Sequence, residues 1–243
     1  MHPSGKRVPL PEPVAAQAAQ AAQAAQAAQA SGPRPSEFRW DRVGPSLVHA
    51  HLARPVVMQL DRSGARSVLD LGCGNGWFTE ALARCGFDAT GADISSSGIA
   101  LATAAYPDVA FTLADATQPL PPELRGRFDA VVAIELLDHV SLPRDAVRQA
   151  MAALRPGGLF VTTVPFHGYL KNLGLALTAR MDLRWQALQD HGRVKFYSKA
   201  SLTTLLAEAG LQDMHYETIG RLPWIARSML VAGRTPAPRL RPA

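Results

Sequence analysis

Val68-Leu69-Asp70-Leu71-Gly72-Cys73-Gly74-Asn75-Gly76 decides the fold of this chain. Two apolar residues and an aspartate finish a strand, and a glycine then stands at every second position. Main chain without Cβ atoms lets a ligand lie directly against such a turn. Trp77-Phe78-Thr79-Glu80-Ala81-Leu82-Ala83-Arg84 follows as an amphipathic helix, and Gly86 sits where a C-cap glycine belongs. Strand, glycine turn and helix make the nucleotide-binding opening of an α/β domain. Spacing restricts the nucleotide. A dinucleotide fingerprint requires G-x-G-x-x-G, but here the third glycine comes one residue early, at Gly76, and Trp77 holds the dinucleotide position. A phosphate-binding P-loop would end in Gly-Lys-Ser/Thr, which the stretch lacks.

Further strands follow at matching intervals. Phe87 to Ile94 reads as a second strand ending in an acid, and Val109 to Leu113 as a third, followed by Ala114-Asp115-Ala116. An acid at the second strand's end can accept both hydroxyls of a ribose as charge-assisted hydrogen bonds, which makes Asp93 the expected ribose ligand and sets Ile94 against the base. The competing role for Asp93 is an N-cap for the helix that begins near Ser96 or Ser97.

The pattern D-x-G-x-G-x-G resembles motif I of the class I S-adenosylmethionine-dependent methyltransferases. That resemblance implies S-adenosyl-L-methionine as cofactor, with a ribose, an adenine and a sulfonium cation but no phosphate. It implies cofactor contacts from Asp70, Gly72, Cys73, Gly74 and Gly76, and from Asp93 and Ile94. Asp115 would meet the adenine amino group, with Ala116 and Ile134 beside it; otherwise Asp115 forms a loop Asx turn. The fold expected is α/β, a doubly wound, mostly parallel seven-stranded Rossmann-like sheet with an antiparallel final strand and a helical lid insertion.

Phe128 to Ile134 is a buried strand, and Glu135-Leu136-Leu137-Asp138-His139-Val140 follows it. Ligands in open α/β sheets lie outside the carboxyl ends of the strands, so this turn faces the chemistry. On a helical turn, residues 135, 138 and 139 share one face. Two carboxylates and an imidazole there can hold a divalent cation; equally, they are two acids at a helix start beside a pocket histidine. Glu-x-x-Asp-His is similar to the Glu-x-x-Glu-His of the ubiquinone-pathway O-methyltransferases, where the triplet is associated with a divalent metal. The resemblance therefore implies Glu135, Asp138 and His139 as ligands of an ion such as Mg2+, which would lower the pKa of a bound phenol. Without metal, His139 is the nearby general base. The Asn/Asp-Pro-Pro-Tyr motifs of amide and adenine-N6 methylation are absent.

Ser141-Leu142-Pro143 opens a helix running to Leu154, with a serine cap and an early proline. Arg155-Pro156-Gly157-Gly158 turns into a strand from Leu159 to Val164, and Leu-Arg-Pro-Gly-Gly resembles a late motif of the same superfamily. Residues 165–197 form an insertion. Leu170, Leu173, Leu177 and Met181 recur at helical spacing, Trp185 and Leu188 extend the stripe, and six basic residues lie from Lys171 to Lys199 against two acids. It reads as a lid over a hydrophobic acceptor, or else as a helical hairpin packed on the sheet. His167, Tyr169, His191, Lys195 and Tyr197 are candidate substrate contacts, and His191, in a loop with Asp190 and Gly192, is a second candidate catalytic residue. Ser198 to Ala209 is a capped helix closed by Gly210, and Met214 to Ile219 and Ser228 to Ala232 are the last, antiparallel strands.

The chain has 243 residues and a net charge of +5, enough length for one sizeable core. Between Val43 and Gly233 basic and acidic residues balance at 17 each, so the excess lies in the flanks. A nucleic-acid enzyme more often carries its positive field on the folded body, so no nucleic-acid partner is expected. Peripheral attraction to an anionic membrane surface stays open. Two cysteines, Cys73 and Cys85, form no disulfide framework, and no secretory signal is legible, so a cytoplasmic setting is expected. Residues 1–36 read as a disordered leader, Pro-rich and then five Ala-Ala-Gln repeats, residues 37–234 as the methyltransferase domain, and 235–243 as a frayed tail. Phe38 and Trp40, at the start of the domain, either close over the cofactor or cover the sheet edge. The activity implied is transfer of a methyl group to the oxygen of a small hydrophobic phenol- or quinol-like acceptor. Alternatives are N- or C-methylation of another metabolite, or a binding module without turnover; the missing glycine disfavours a nicotinamide-dependent oxidoreductase.

Overall fold

A computed structural model of the chain describes residues 38–45, 47–181, 192–220 and 226–237. The leader expected over 1–36, Trp185, Leu188 and His191 lie outside the described residues, as does the tail beyond 237.

Strands that are apolar on both sides need helices on both faces, and the elements arrange accordingly. In chain order they are α1 (Leu47–Ser63), β1 (Ser67–Leu71), α2 (Trp77–Arg84), β2 (Asp88–Asp93), α3 (Ser96–Ala105), β3 (Ala110–Leu113), β4 (Phe128–Ile134), α4 (Pro143–Ala153), β5 (Leu154–Pro165), α5 (Tyr169–Leu177), α6 (Lys199–Glu208), β6 (Gln212–Ile219) and β7 (Ser228–Arg234). The seven strands lie in the order β3-β2-β1-β4-β5-β7-β6. Pairing is parallel from β3 to β5, and β7 runs antiparallel between β5 and β6. β1 pairs with β2 on one side and β4 on the other, so the order reverses at β1 and opens a crevice at the carboxyl ends of β1 and β4.

Residue parity along the strands divides the core. Leu69, Leu71, Val131, Ala133 and Phe160 pack with Val147 of α4 and Leu202 and Leu206 of α6. Val68, Ala130, Val132 and Val161 pack on the other face with Leu52, Val56 and Leu60 of α1 and Phe78 and Leu82 of α2. The α1 residues recur every four positions and are fully buried. Burying each contributes about 1.5–3 kcal/mol before entropic costs.

Local chemistry explains most boundaries. Ser95 caps α3 by accepting the Gly98 N–H at 3.1 Å, and Ser198 and Ser201 form a capping box on α6. The expected Ser141 cap is not made: Leu142 stands at the N-cap of α4, with no side-chain hydrogen bond. Pro143 pre-sets the first helical residue and brings no N–H to satisfy. The Arg155–Gly158 turn lies within β5, as a break in register between Phe128↔Leu154 and Ala130↔Leu159. Thr235 donates its N–H to Gly158 O at 2.9 Å, and Pro236 O accepts from Gly157 N at 3.2 Å, so residues 235 and 236 are tied to the Arg155–Gly158 turn. Among the described residues no helix is long and apolar enough to cross a membrane.

Candidate active site

A cavity of about 560 Å³ opens at the carboxyl ends of β1, β2 and β4, its wall including Gly72, Asp93, Ile94, Ile134, Glu135 and His139. Its size falls within the usual range for small-molecule sites. Phe38, Trp40 and His49 close one side, and Gly192, Arg193 and Val194 the other.

The three glycines of the turn serve different neighbours. Gly72 (φ +84°) lines the cavity, and a Cβ on it would meet Leu136 Cδ1 at 2.8 Å. Gly74 (φ +55°) lies under the Trp40 indole, where a Cβ would come within 2.4 Å of Cζ2. Gly76 faces Ala102 and Phe111 rather than the cavity. Cys73 turns its thiol into the same small core with Ile99, Ala102 and Phe111, where burial and the nearby acids push its pKa up.

The turn's N–H groups are largely spent on the protein. Gly72 N and Cys73 N donate to Ala92 O at 2.7 and 3.1 Å, Gly76 N to Cys73 O at 3.0 Å, and Trp77 N to Asn75 Oδ1 at 3.3 Å. Gly74 N donates to Asp93 Oδ2 at 2.8 Å. A carboxylate thus holds the place a pyrophosphate would need, which disfavours a dinucleotide and suits a cationic, phosphate-free ligand.

The lead-in segment is stitched over this turn. Trp40 N donates to Ser97 Oγ at 3.0 Å, Ser95 Oγ to Phe38 O at 2.7 Å, and Asn75 Nδ2 to Arg42 O and Gly44 O, both at 3.0 Å. Phe38 meets Trp40 edge to face at 5.1 Å. Of the two readings of this pair, the structure places both rings on the cavity wall.

Asp93 also accepts from Ser95 N at 2.7 Å, so it orders the turn into α3 while lining the cavity. Asp115 accepts both the N–H and the hydroxyl of Thr117, at 2.8 and 2.7 Å, in an Asx turn. Neither Asp115 nor the buried Ala116 is part of the cavity wall. Asp70 shares strand parity with Val68 and so faces α2, accepting the Thr79 hydroxyl at 2.7 Å with 2% exposure. Burial pushes its pKa up to about 7, against the Thr79 hydrogen bond. The folded pKa is raised, so the native state holds this proton more tightly than the unfolded chain. The resulting stability is complete below about pH 4 and is lost as pH rises through about 7. Asp70→Asn is expected to flatten that decline, by a few kcal/mol in order of magnitude. Melting temperatures of the cofactor-free proteins at about pH 5 and pH 8 measure it; an equal drop in both proteins would refute it.

The segment 135–139 departs from expectation. It is not a helical turn: Glu135 follows β4 with φ +51°, and His139 N closes a tight turn onto Leu136 O at 2.9 Å. Asp138 is 1% exposed, and its Oδ2 accepts from Arg193 Nε at 2.8 Å, with His139 Nε2 at 3.6 Å. Arg193 Nη2 lies 3.6 Å from Glu135 Oε2. A guanidinium therefore stands between the two carboxylates. The expected Glu135, Asp138 and His139 metal triplet is corrected on this point: among the described residues no three His, Cys, Asp or Glu side chains are placed to hold a metal ion. Burial, then Asp138, push the Glu135 pKa up to about 7, while Arg193, Ser228 and Thr163 pull it down. Burial raises Asp138 as well, opposed by His139 and Arg193.

Part of the insertion, Gly192 to Val194, forms part of the cavity wall. Val194 N and Lys195 N both donate to Asp138 O, at 2.8 and 3.0 Å. α5 leaves Tyr169, Leu170 and Leu177 at 80%, 60% and 78% exposure, so those side chains do not pack on the sheet. Of the candidate substrate contacts, His167 stacks edge to face with Phe196 at 5.0 Å, and the buried Tyr197 donates its hydroxyl to Leu137 O at 3.3 Å. None of His167, Tyr169, Lys195 and Tyr197 is part of the cavity wall. The sequence reading missed Arg193 and His49. Arg193 stands in the sequence as one of six basic residues from Lys171 to Lys199, with no partner assigned; the neutral, half-buried His49, its pKa lowered by burial, lies on the cavity side of α1.

Comparison with known proteins bears on the family and the fold. Residues 24–216 match the family model described as a methyltransferase domain. A ubiquinone biosynthesis O-methyltransferase of Methylobacterium nodulans is 34% identical over 191 residues, covering 71% of this chain and 76% of that protein. One from Xanthomonas axonopodis pv. citri is 31% identical over 203 residues, covering 79% and 82%. Among solved structures, a complex between the Haloferax volcanii Trm112 methyltransferase activator and a methyltransferase gives a TM-score of 0.62 at 20% identity, covering 80% of this chain and 92% of that one, a likeness of fold. A domain match across most of the chain, with relatives at this identity over three-quarters of their length, supports one assignment: this chain belongs to the class I S-adenosylmethionine-dependent methyltransferases.

Proposed function

We propose that the chain methylates the oxygen of a small, hydrophobic phenol- or quinol-like acceptor. The observation that carries this reading is the cavity wall itself. Phe38, Ile134, Leu136, Val140 and Val194 make one part of it apolar, while Glu135 and His139 bring proton acceptors to the end of β4. That combination fits an apolar ring with one ionisable hydroxyl. The relatives named as ubiquinone biosynthesis O-methyltransferases point the same way.

When bound, S-adenosylmethionine supplies an electrophilic methyl group. The Asp93 carboxylate would hold the ribose hydroxyls, the bare main chain at Gly72 would lie against the amino-acid end, and Ile94 and Ile134 would face the adenine side. Asp115 holds Thr117 through Oδ1 and would offer Oδ2 to the adenine amino group. His139 turns Nε2 toward Asp138 at 3.6 Å, and its imidazole would take the acceptor's hydroxyl proton. Phe38, Trp40 and the 192–194 limb exclude water and fix the acceptor, and orientation of this kind supplies much of the rate. The exposed apolar side chains of α5 would let the protein touch a membrane peripherally while such an acceptor enters.

An acceptor screen with methyl-labelled cofactor tests the reading. Phenols and quinols with an apolar substituent are expected to take up label on oxygen, and amines of the same size are not. Label appearing only on amines or on carbon would overturn the oxygen assignment. Tight cofactor binding without turnover of any acceptor would favour a binding module.

A further inference from the structure

We infer that Arg193 is the resident cation of the Glu135–His139 turn, standing where the spacing of that turn invites a divalent metal ion. The inference rests on the reading that this turn faces the reaction. Three observations carry it. The guanidinium is seated by geometry, with Nε 2.8 Å from Asp138 Oδ2 and Nη2 3.6 Å from Glu135 Oε2. Its seat is built by the main chain as well, since Val194 N and Lys195 N donate to Asp138 O at 2.8 and 3.0 Å. The acids also need it. Asp138 is 1% exposed, its Oδ1 has no hydrogen-bond partner among the described residues, and a second carboxylate stands nearby. Two such groups stay charged together only with a cation beside them.

The planar fork of arginine can serve two acids at once, which the point charge of a lysine cannot do as well. Arg193 comes from the insertion, whereas Glu135 and Asp138 come from the end of β4 and the turn after it. Docking the 192–195 limb therefore completes the charge balance of the site and closes its wall in one event. A metal ion bridging the two acids would compete with Arg193 for Asp138 Oδ2 and Glu135 Oε2. Arg193 is on this account a positioning residue, acting on the acceptor site through Glu135 and Asp138.

Manganese binding to the full-length chain tests the inference, with Mn2+ followed by electron paramagnetic resonance and folding by circular dichroism. The native protein is expected to show no saturable Mn2+ site. Arg193→Met bares the two carboxylates and is expected to bind Mn2+ at least tenfold more tightly than the native protein. Arg193→Lys keeps a charge in place and is expected to exclude Mn2+ as the native protein does. Saturable binding to the native protein that Glu135→Gln abolishes would overturn the inference, as would a folded Arg193→Met protein as indifferent to Mn2+ as the native one. Should Arg193→Met not fold, the triple variant Arg193→Met, Glu135→Gln, Asp138→Asn removes all three charges together. It is expected to fold and to ignore Mn2+, and its failure to fold would count against a charge-balancing role. None of these readouts uses methyl transfer, so a failure here leaves the proposed activity standing, and an acceptor screen without product leaves this assignment standing.

Discussion

Replacing Asp93 with alanine is expected to weaken S-adenosylmethionine binding by roughly a hundredfold, the sum of two charge-assisted hydrogen bonds of about 1.5–3 kcal/mol each less what water recovers. The carboxylate is fixed before any ligand arrives, because Gly74 N holds one oxygen at 2.8 Å and Ser95 N the other at 2.7 Å. A pre-positioned acceptor costs little further ordering when a ribose docks on it. The same two contacts mean that alanine also releases two donors, so the variant mixes a lost ligand with a loosened turn. Asp93→Asn separates them. It keeps an acceptor and the side-chain shape, loses the charge, and is expected to show an intermediate affinity with a melting temperature closer to the native value. Calorimetric titration of both variants decides the matter. Unchanged affinity in Asp93→Ala would refute the ribose assignment, whatever happens to the fold.

The place of Asp93 on the cavity wall was legible in the sequence because its signal is local: an acid at a strand's carboxyl end, one strand-helix-strand step after the glycines. The sheet, most helix limits and the crevice at the end of β1 were legible for the same reason. What escaped the sequence depends on contacts across long stretches of chain. Arg193 meets Asp138 55 positions away, and Trp40 meets Ser97 57 positions away. Nothing in either neighbourhood announces a partner. Asp70 is a different case. Its parity with Val68, which packs against α1 and α2, turns it toward Thr79, a partner that the glycine pattern beside it does not announce. At residues 135–139 the i, i+3, i+4 spacing suggested a shared helical face. The chain instead leaves β4 through a positive φ at Glu135 and returns His139 N to Leu136 O. The acids still come together, but around a guanidinium whose existence the spacing could not reveal.

Cutting the chain at two places less than ten residues apart is expected to give opposite results. Deleting residues 1–35 should leave cofactor affinity and turnover within about twofold of native, because the proposed domain begins after the Ala-Gln leader and surface changes away from packed features stay within about 0.5 kcal/mol. Deleting residues 1–44 should weaken cofactor binding by tenfold or more. That cut takes away Phe38 and Trp40 from the cavity wall and with them the donors and acceptors that bind Ser95, Ser97 and Asn75. Removing a large packed aromatic costs about 3 kcal/mol or more where it is buried and less where it is half exposed, and here the loss falls on the wall of the site rather than on a distant core. The Gly74 and Gly98 surfaces on which the indole lies would then be open to solvent. Trp40→Ala in the full-length chain isolates the side chain from the backbone bonds and should reproduce most of the loss. Calorimetry with the cofactor, beside a thermal melt of each protein, reads the outcome. If the longer deletion binds as tightly as the shorter one, the segment merely covers the sheet edge and the cavity wall proposed here is wrong on that side. If the shorter deletion already abolishes binding, the leader carries a part of the site and the domain boundary near residue 37 must move.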